Sequence, residues 1–259
     1  MTAPRLSGAA QARVLALAPF PMVSPGDDLV PAIAGAARAA AVEIAEGDIL
    51  VVAQKVVSKA EGRYRRLADV TVTDEAARLA EITRKDPRLV ALILGEATAV
   101  LRSRPDVLIV ESRLGHIMAN AGIDQSNLGP EGDVLLLPED PDRSARGLRD
   151  GLGALLGVRP GVIVADSFGR PWRFGTTGIA IGVAGPPMVV DLRGRPDLSG
   201  RRLEVSEVGF ADSVAAAAAL VMGEGAEGRP VALVRGLTWA DSGQSAADGL
   251  RPAAMDLFR

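Results

Sequence analysis

The sequence predicts a mixed α/β fold of the α+β kind. Three observations carry that reading. Short runs rich in valine, isoleucine and leucine recur, as at residues 49–53, 161–165 and 231–234, and each has the length of a buried strand. Alanine-rich stretches of helical propensity stand between them, notably residues 29–45 and 211–222. The alternation is irregular and interrupted by long glycine-rich connections, which favours α+β over a regular doubly wound sheet. A chain of 259 residues with 48% hydrophobic content and a mean hydropathy of +0.21 can bury a sizeable core. The expectation is one domain over residues 1–259, divisible into two subdomains.

Taken in order, residues 14–23 are apolar but broken by Pro19 and Pro21, which suits an edge strand. Pro25-Gly26-Asp27-Asp28 is a turn whose aspartates cap the helix predicted over 29–45. The strand at 49–53 runs directly into a polar segment, 54–63. Residues 74–94 read as helix, restarted at Pro87, and 107–110 as strand. Residues 133–137 form a strand closed by Pro138, and 143–156 a helix ending near Gly157. The strand at 161–165 delivers Asp166 at its end. Residues 169–187 are glycine-rich, and 191–201 turn-rich. Asp212 or Ser213 caps the last long helix, 223–228 is a loop, and the tail from 238 is polar, then weakly helical.

Composition removes several chemistries. There is no cysteine, so no thiol nucleophile, disulfide, zinc–thiolate or iron–sulfur site exists. A single histidine, His116, excludes a histidine-rich metal site and reads as structural support. Any metal must sit on oxygen ligands, which points to Mg²⁺, Mn²⁺ or Ca²⁺. A net charge of −3 argues against nucleic acid. No apolar run approaches the roughly 20 residues of a membrane span, and no targeting segment stands out, so the expected compartment is the cytoplasm.

Three polar clusters follow apolar runs. The first is residues 54–63, QKVVSKAEGR, holding two of the chain's three lysines, Lys55 and Lys59, four apart. On a helix they share a face and repel unless an anion such as phosphate lies between them; the plainer alternative is a solvated basic face. The second, inside residues 111–127 (ESRLGHIMANAGIDQSN), ends in Gly122, Asp124 and Asn127, which combine a turn-permitting glycine with a carboxylate and an amide. A hydrophilic turn is the plain alternative. The third, residues 166–175, holds Asp166 and Ser167, hard ligands for Mg²⁺, and Arg170 and Arg173, forks for phosphate or carboxylate. Simple pairing of Asp166 with one of those arginines is the alternative there. Residues 223–228 match G-x-G-x-x-G, but follow a helix and precede a strand, the reverse of a dinucleotide fold. No P-loop and no G-x-S-x-G occurs.

In this order the blocks PGDDL (25–29), QKVVSKAEGR (54–63), NAGIDQSN (120–127), LLP (136–138), DSFGRPWR (166–173), AIGVAG (180–185) and RPVALVRG (229–236) resemble the coenzyme F420-0:L-glutamate ligase family along nearly the whole chain. The resemblance implies an unusual mixed α/β fold in an intertwined homodimer. It implies a GTP-dependent ligase that adds L-glutamate to coenzyme F420-0, using two divalent ions, Mg²⁺ or Mn²⁺, and K⁺. By matching position, Asp124, Asp166 and Ser167 are metal ligands. GTP contacts fall at Lys59, Asn127, the segment Phe20-Pro21-Met22-Val23 and the loop Met222-Gly223-Glu224-Gly225-Ala226-Glu227-Gly228-Arg229. A serine contact of some members falls at Gln54 here, and the early segment departs from the family's usual Leu-Pro. The C-terminal flavin-binding reductase domain of some relatives is not expected.

Phosphoryl transfer is mostly positioning and charge neutralisation, and it asks for carboxylate-held metals with lysine and arginine on the phosphates. Lys59 is expected to neutralise phosphate charge, and Lys55, or Arg170 and Arg173, to bind phosphate or substrate carboxylates. Two rivals remain: a related amino-acid ligase for another carboxylate acceptor, and a non-catalytic GTP- or metal-binding protein.

Overall fold

The computed structural model describes residues 10–125 and 133–258. It is mixed α/β, as expected. The strands and helices are β1 (Arg13–Ala16), α1 (Leu29–Ala39), β2 (Ile49–Ala53), α2 (Gln54–Ala60), β3 (Tyr64–Arg66), α3 (Asp74–Thr83), α4 (Pro87–Gly95), β4 (Ala97–Arg104), β5 (Val107–Ser112), β6 (Ile117–Ala119), β7 (Asp133–Leu135), α5 (Pro141–Leu156), β8 (Gly161–Arg170), β9 (Arg173–Ala184), β10 (Val189–Asp191), β11 (Glu207–Gly209), α6 (Phe210–Met222) and β12 (Val231–Arg235).

A five-stranded sheet in the order β1-β12-β2-β8-β9 organises the chain, with β2 and β8 parallel and the other neighbours antiparallel. Both faces are covered. Leu50, Val52, Val162, Val164 and Leu233 point to a core closed by α1 and α5. Their neighbours Ile49, Val51, Ile163, Ala232 and Val234 point the other way, to α6. Two-sided burial explains why these strands read as unbroken apolar runs rather than as alternations. A third apolar cluster lies between α3, α4, β5 and the β3–β7 pair, where Leu79, Val90, Ile93, Leu108, Val110 and Val134 meet.

The helix ends follow local chemistry. Asp28 caps α1 by accepting from Val30 N at 2.9 Å, and Asp86 and Asp140 cap helices that begin with Pro87 and Pro141. Proline at the first helical position also accounts for the restart between α3 and α4.

Four expectations are corrected. The first long helix stops at Ala39, not 45, because Ala41 turns left-handed at φ 53°. α6 begins at Phe210 with Gly209 before it; Asp212 does not cap it but accepts from Ala180 N of β9 at 2.9 Å. The third concerns β8, which continues past Ala165 to Arg170, because β9 pairs with it as far as Arg170 opposite Arg173. Asp166 therefore sits inside a hairpin arm rather than at a strand end. Finally, most of the glycine-rich stretch 169–187 is β9 itself. Its glycines are contact points: a Cβ on Gly178 would lie 2.4 Å from Ala215 O in α6, and one on Gly182 would lie 2.4 Å from Pro141 backbone at the start of α5.

Candidate active site

β2 passes into α2 with no intervening loop, so the polar face of α2 stands at the carboxyl end of a central strand. Gln54 and Ser58 are buried, and Ser58 Oγ donates to Gln54 Oε1 at 2.9 Å, which locks the helix start. Lys55 and Lys59 share the face that their spacing required. Lys55 Nζ lies 2.5 Å from Asp124 Oδ2. Lys59, only 8% exposed, has its pKa lowered by burial and then by Lys55, against an opposing pull from Asp124.

Asp124 is presented by an unusual turn. Asn120, Ala121 and Gly122 all take positive φ, at 54°, 53° and 72°. Alanine and asparagine adopt that region at a cost of order 1–3 kcal/mol each where surrounding contacts fix them. Gly122 has no substitute, since a Cβ there would lie 2.8 Å from the Leu137 side chain. The turn ends where Asp124 exchanges two backbone hydrogen bonds with Leu135, each of 2.9 Å.

Asp166 and Ser167 come from β8. Burial raises the Asp166 carboxyl to about 7, the Ser167 backbone N–H opposes that shift, the charges of Asp124 and Glu224 add to it, and Lys55 works against it. Four segments distant in sequence thus share one electrostatic site. Glu224, from the loop after α6, accepts from Ser167 Oγ at 2.7 Å. A phosphate placed among Asp124, Asp166 and Glu224 would be repelled unless cations lay between.

A family model described as F420-0:gamma-glutamyl ligase matches residues 18–236. The chain belongs to the F420-0:gamma-glutamyl ligase family. It is 49% identical over 226 residues to the coenzyme F420:L-glutamate ligase of Methanopyrus kandleri, covering 86% of this chain and 87% of that protein. It is 42% identical to the enzyme of that name from Methanothermobacter thermautotrophicus, covering 93% and 96%, and 42% identical to that of Haloarcula marismortui, covering 88% of each. The chain is accordingly an enzyme of this ligase family.

The donors at the site suit a hard divalent ion. Carboxylates and a hydroxyl are its preferred protein ligands, and such ions keep positions for water and substrate phosphate. Among the described residues no three acidic or histidine side chains stand close enough to hold a metal by themselves. Asn127 lies outside the described residues.

Other expected positions of this F420-0:gamma-glutamyl ligase family member divide in two. Phe20 packs on the α1–α5 side of the core, Val23 is buried, and Met22 is 86% exposed, with Pro21 exposed beside it. The segment that follows abuts the end of α2, where Gly26 N donates to Ala60 O at 2.8 Å. Of the loop residues, Met222 is half-buried and Gly223, Gly225, Ala226, Gly228 and Arg229 are exposed. Glu227 accepts from Gly225 N at 2.8 Å and so shapes the loop that delivers Glu224. Arg170 and Arg173 do not join Asp166. They face each other across the hairpin tip, exposed, with Pro171 and Trp172 at its corners, and Arg170 Nη1 donates to Gly175 O at 3.3 Å.

His116 is buried, meets Phe168 edge-on at 6.1 Å, and is held near pKa 4 by burial, so it is neutral and supports β8. Sequence reasoning placed Glu224 in a nucleotide loop but missed its carboxylate partnership with Ser167. The available signal was an acidic residue in a glycine loop that the topology returns to the β8 arm.

Proposed function

We propose that this chain joins L-glutamate to coenzyme F420-0 through a γ-glutamyl amide bond, with GTP as the co-substrate. The acceptor carboxylate takes the γ-phosphoryl group of GTP to give an acyl phosphate and GDP. The amine of glutamate attacks the acyl carbon, the carbon–oxygen bond to phosphate breaks, and phosphate leaves as the amine loses its proton. The observation that carries this reading is the convergence of Asp124, Asp166, Ser167 and Glu224 beside Lys55 and Lys59 in a chain of this ligase family.

In this reading Asp124, Asp166 and Ser167 hold two divalent ions, Mg²⁺ or Mn²⁺, which neutralise phosphate charge when bound; K⁺ assists. Lys59 and Lys55 lie on the phosphates, and the loop from Met222 to Arg229 with the Phe20–Val23 segment encloses the nucleotide. Arg170 and Arg173 meet the substrate's anionic groups at the hairpin tip, and two copies form a homodimer.

The test is mass spectrometry of F420-0 incubated with the protein, GTP, L-glutamate and Mn²⁺ or Mg²⁺. The expected result is one or more added glutamyl units, with GTP-derived phosphate released only when acceptor and glutamate are both present. Phosphate release with a different carboxylate and none with F420-0 would overturn the acceptor; GTP binding without turnover under every condition would overturn the enzyme. Asp166→Asn is expected to lower kcat at least about a hundredfold, roughly 2.7 kcal/mol of barrier.

A further inference from the structure

A cleft of about 140 Å³ borders the turn that presents Asp124, lined by Arg63, Glu96, Ser112, Arg113, Leu137 and Glu139 among others. Its chemistry is unusual for a structural crevice. Ser112 is 2% exposed, and its buried hydroxyl has no hydrogen-bond partner among the described residues. Asn120 Oδ1, in the adjoining turn, is likewise without a partner among the described residues. An orphaned buried polar group costs about 1–3 kcal/mol, and one in a native fold calls for a reason.

The charges alternate. Glu96 is shared by two guanidinium groups, Arg63 Nη2 at 3.3 Å and Arg113 Nη1 at 4.0 Å. Arg63 is fixed by donation from Nε to Leu137 O at 2.9 Å, and those two bonds occupy two of its five N–H groups. The Arg113 side chain is 65% exposed and the Glu139 side chain 74% exposed, both at the mouth. Two forks for carboxylates, two carboxylates for an ammonium group and a spare hydroxyl complement a small zwitterion with two acid groups.

Size and place narrow the ligand. The volume is below the roughly 300 Å³ at which pockets for larger organic ligands begin, so neither a nucleotide nor an extended aromatic acceptor fits. The walls belong to the segments that build the phosphate-side site. Arg63 follows Lys59 by four residues, and Ala121, also at the cleft, precedes Asp124 by three. Three residues of chain span at most about 11 Å.

We infer that this cleft is the subsite for the amino-acid substrate, a dicarboxylic amino acid that the reading above makes L-glutamate, and the inference rests on that reading for the ligand's name. Arg63 and Arg113 hold its carboxylates, Glu96 and Glu139 its ammonium group, and Ser112 accepts or donates one hydrogen bond. The strained turn at Asn120–Gly122 borders this subsite through Ala121 and leads on to Asp124.

The test uses Arg113→Gln and Ser112→Ala in the full chain. Steady-state kinetics are expected to show KM for L-glutamate raised about tenfold or more in Arg113→Gln, and several-fold in Ser112→Ala, with KM for GTP unchanged. Calorimetric titration with L-glutamate, and with L-glutamine as the singly acidic comparison, should show weaker glutamate binding in both variants and lost discrimination in Arg113→Gln. An unchanged KM for glutamate in both overturns the assignment, as does a Ser112→Ala protein whose only change is a higher melting temperature. If the wild type ligates but the variants keep wild-type KM, the cleft fails and the proposed reaction stands. If the wild type does not ligate F420-0, yet the titration shows dicarboxylic amino acids bound and lost in Arg113→Gln, the reaction fails and the cleft stands.

Discussion

At Asp166 the ionisation of one side chain is tied to the folding of the chain. Its ordinary pKa of 3.8 rises to about 7 in the fold because burial disfavours the charge. Between about pH 4 and 7 the unfolded chain has released that proton and the folded chain still holds it. Stability of the metal-free protein from this group is therefore full below about pH 4 and declines by up to about 1.4 kcal/mol per pH unit as pH rises through 7. Asp166 keeps some exposure to solvent, which reduces that slope. Asp166→Asn, which copies the protonated shape, is expected to melt close to wild type at pH 4.5 and above it at pH 8, as read by calorimetry. Mn²⁺ should reverse the order at pH 8 by stabilising the wild type alone. Asp124 and Asp166 could be singled out in the sequence because the missing cysteines and the single histidine leave only oxygen ligands for any metal, and the fold brings the two carboxylates within electrostatic reach of each other. Arg63, Glu96 and Arg113 were not, because each looks like an ordinary surface charge until the fold closes a cleft around them.

Glycine in β9 shows where reading elements from sequence fails. The five glycines and three prolines of 169–187 look like punctuation, and punctuation predicts a loop. In the fold, Gly178 and Gly182 let α6 and α5 approach a strand from opposite faces, so what looked like flexible connection is closely packed. Gly178 also lies opposite Ser167 across the hairpin. Gly178→Ala puts a methyl against α6 backbone, which cannot swing aside, so the expected cost is about 1–3 kcal/mol in denaturant unfolding. Because the displaced strand carries Ser167 and Asp166 with it, activity should fall further than the stability loss accounts for. Gly175→Ala, with open space around it but φ at 83°, gives the comparison in which backbone strain acts without a packing clash. The cap at Asp28, by contrast, was readable, since capping is settled within a few residues, whereas the cap expected at Asp212 or Ser213 was displaced by the pairing of Asp212 with Ala180 N of β9.

Across the whole molecule, the sequence indicated a mixed α/β class but not its strand order. Nothing local tells β12, near residue 231, to insert between β1 and β2, or β8 to lie parallel to β2. That insertion brings the loop after α6, and with it Glu224, back to the hairpin arm bearing Ser167. The result is a site with three carboxylates facing two lysines, so nucleotide and cation should bind together. In thermal melts Mn²⁺ with GTP is expected to raise the melting temperature by several degrees, on the order of 2.7 kcal/mol at a hundred times Kd. GTP with a chelator should give a much smaller rise; equal rises would remove cations from the account. The hairpin has one more consequence. The chain has two tryptophans. Trp239 is half-buried and its indole N–H donates to Gly47 O at 2.9 Å, whereas Trp172 is 85% exposed at the hairpin tip, touching Phe258 edge-on at 5.9 Å. Their emission will therefore separate by colour and by susceptibility to a dissolved quencher. Trp172 is a built-in reporter at the tip of the arm that carries Asp166.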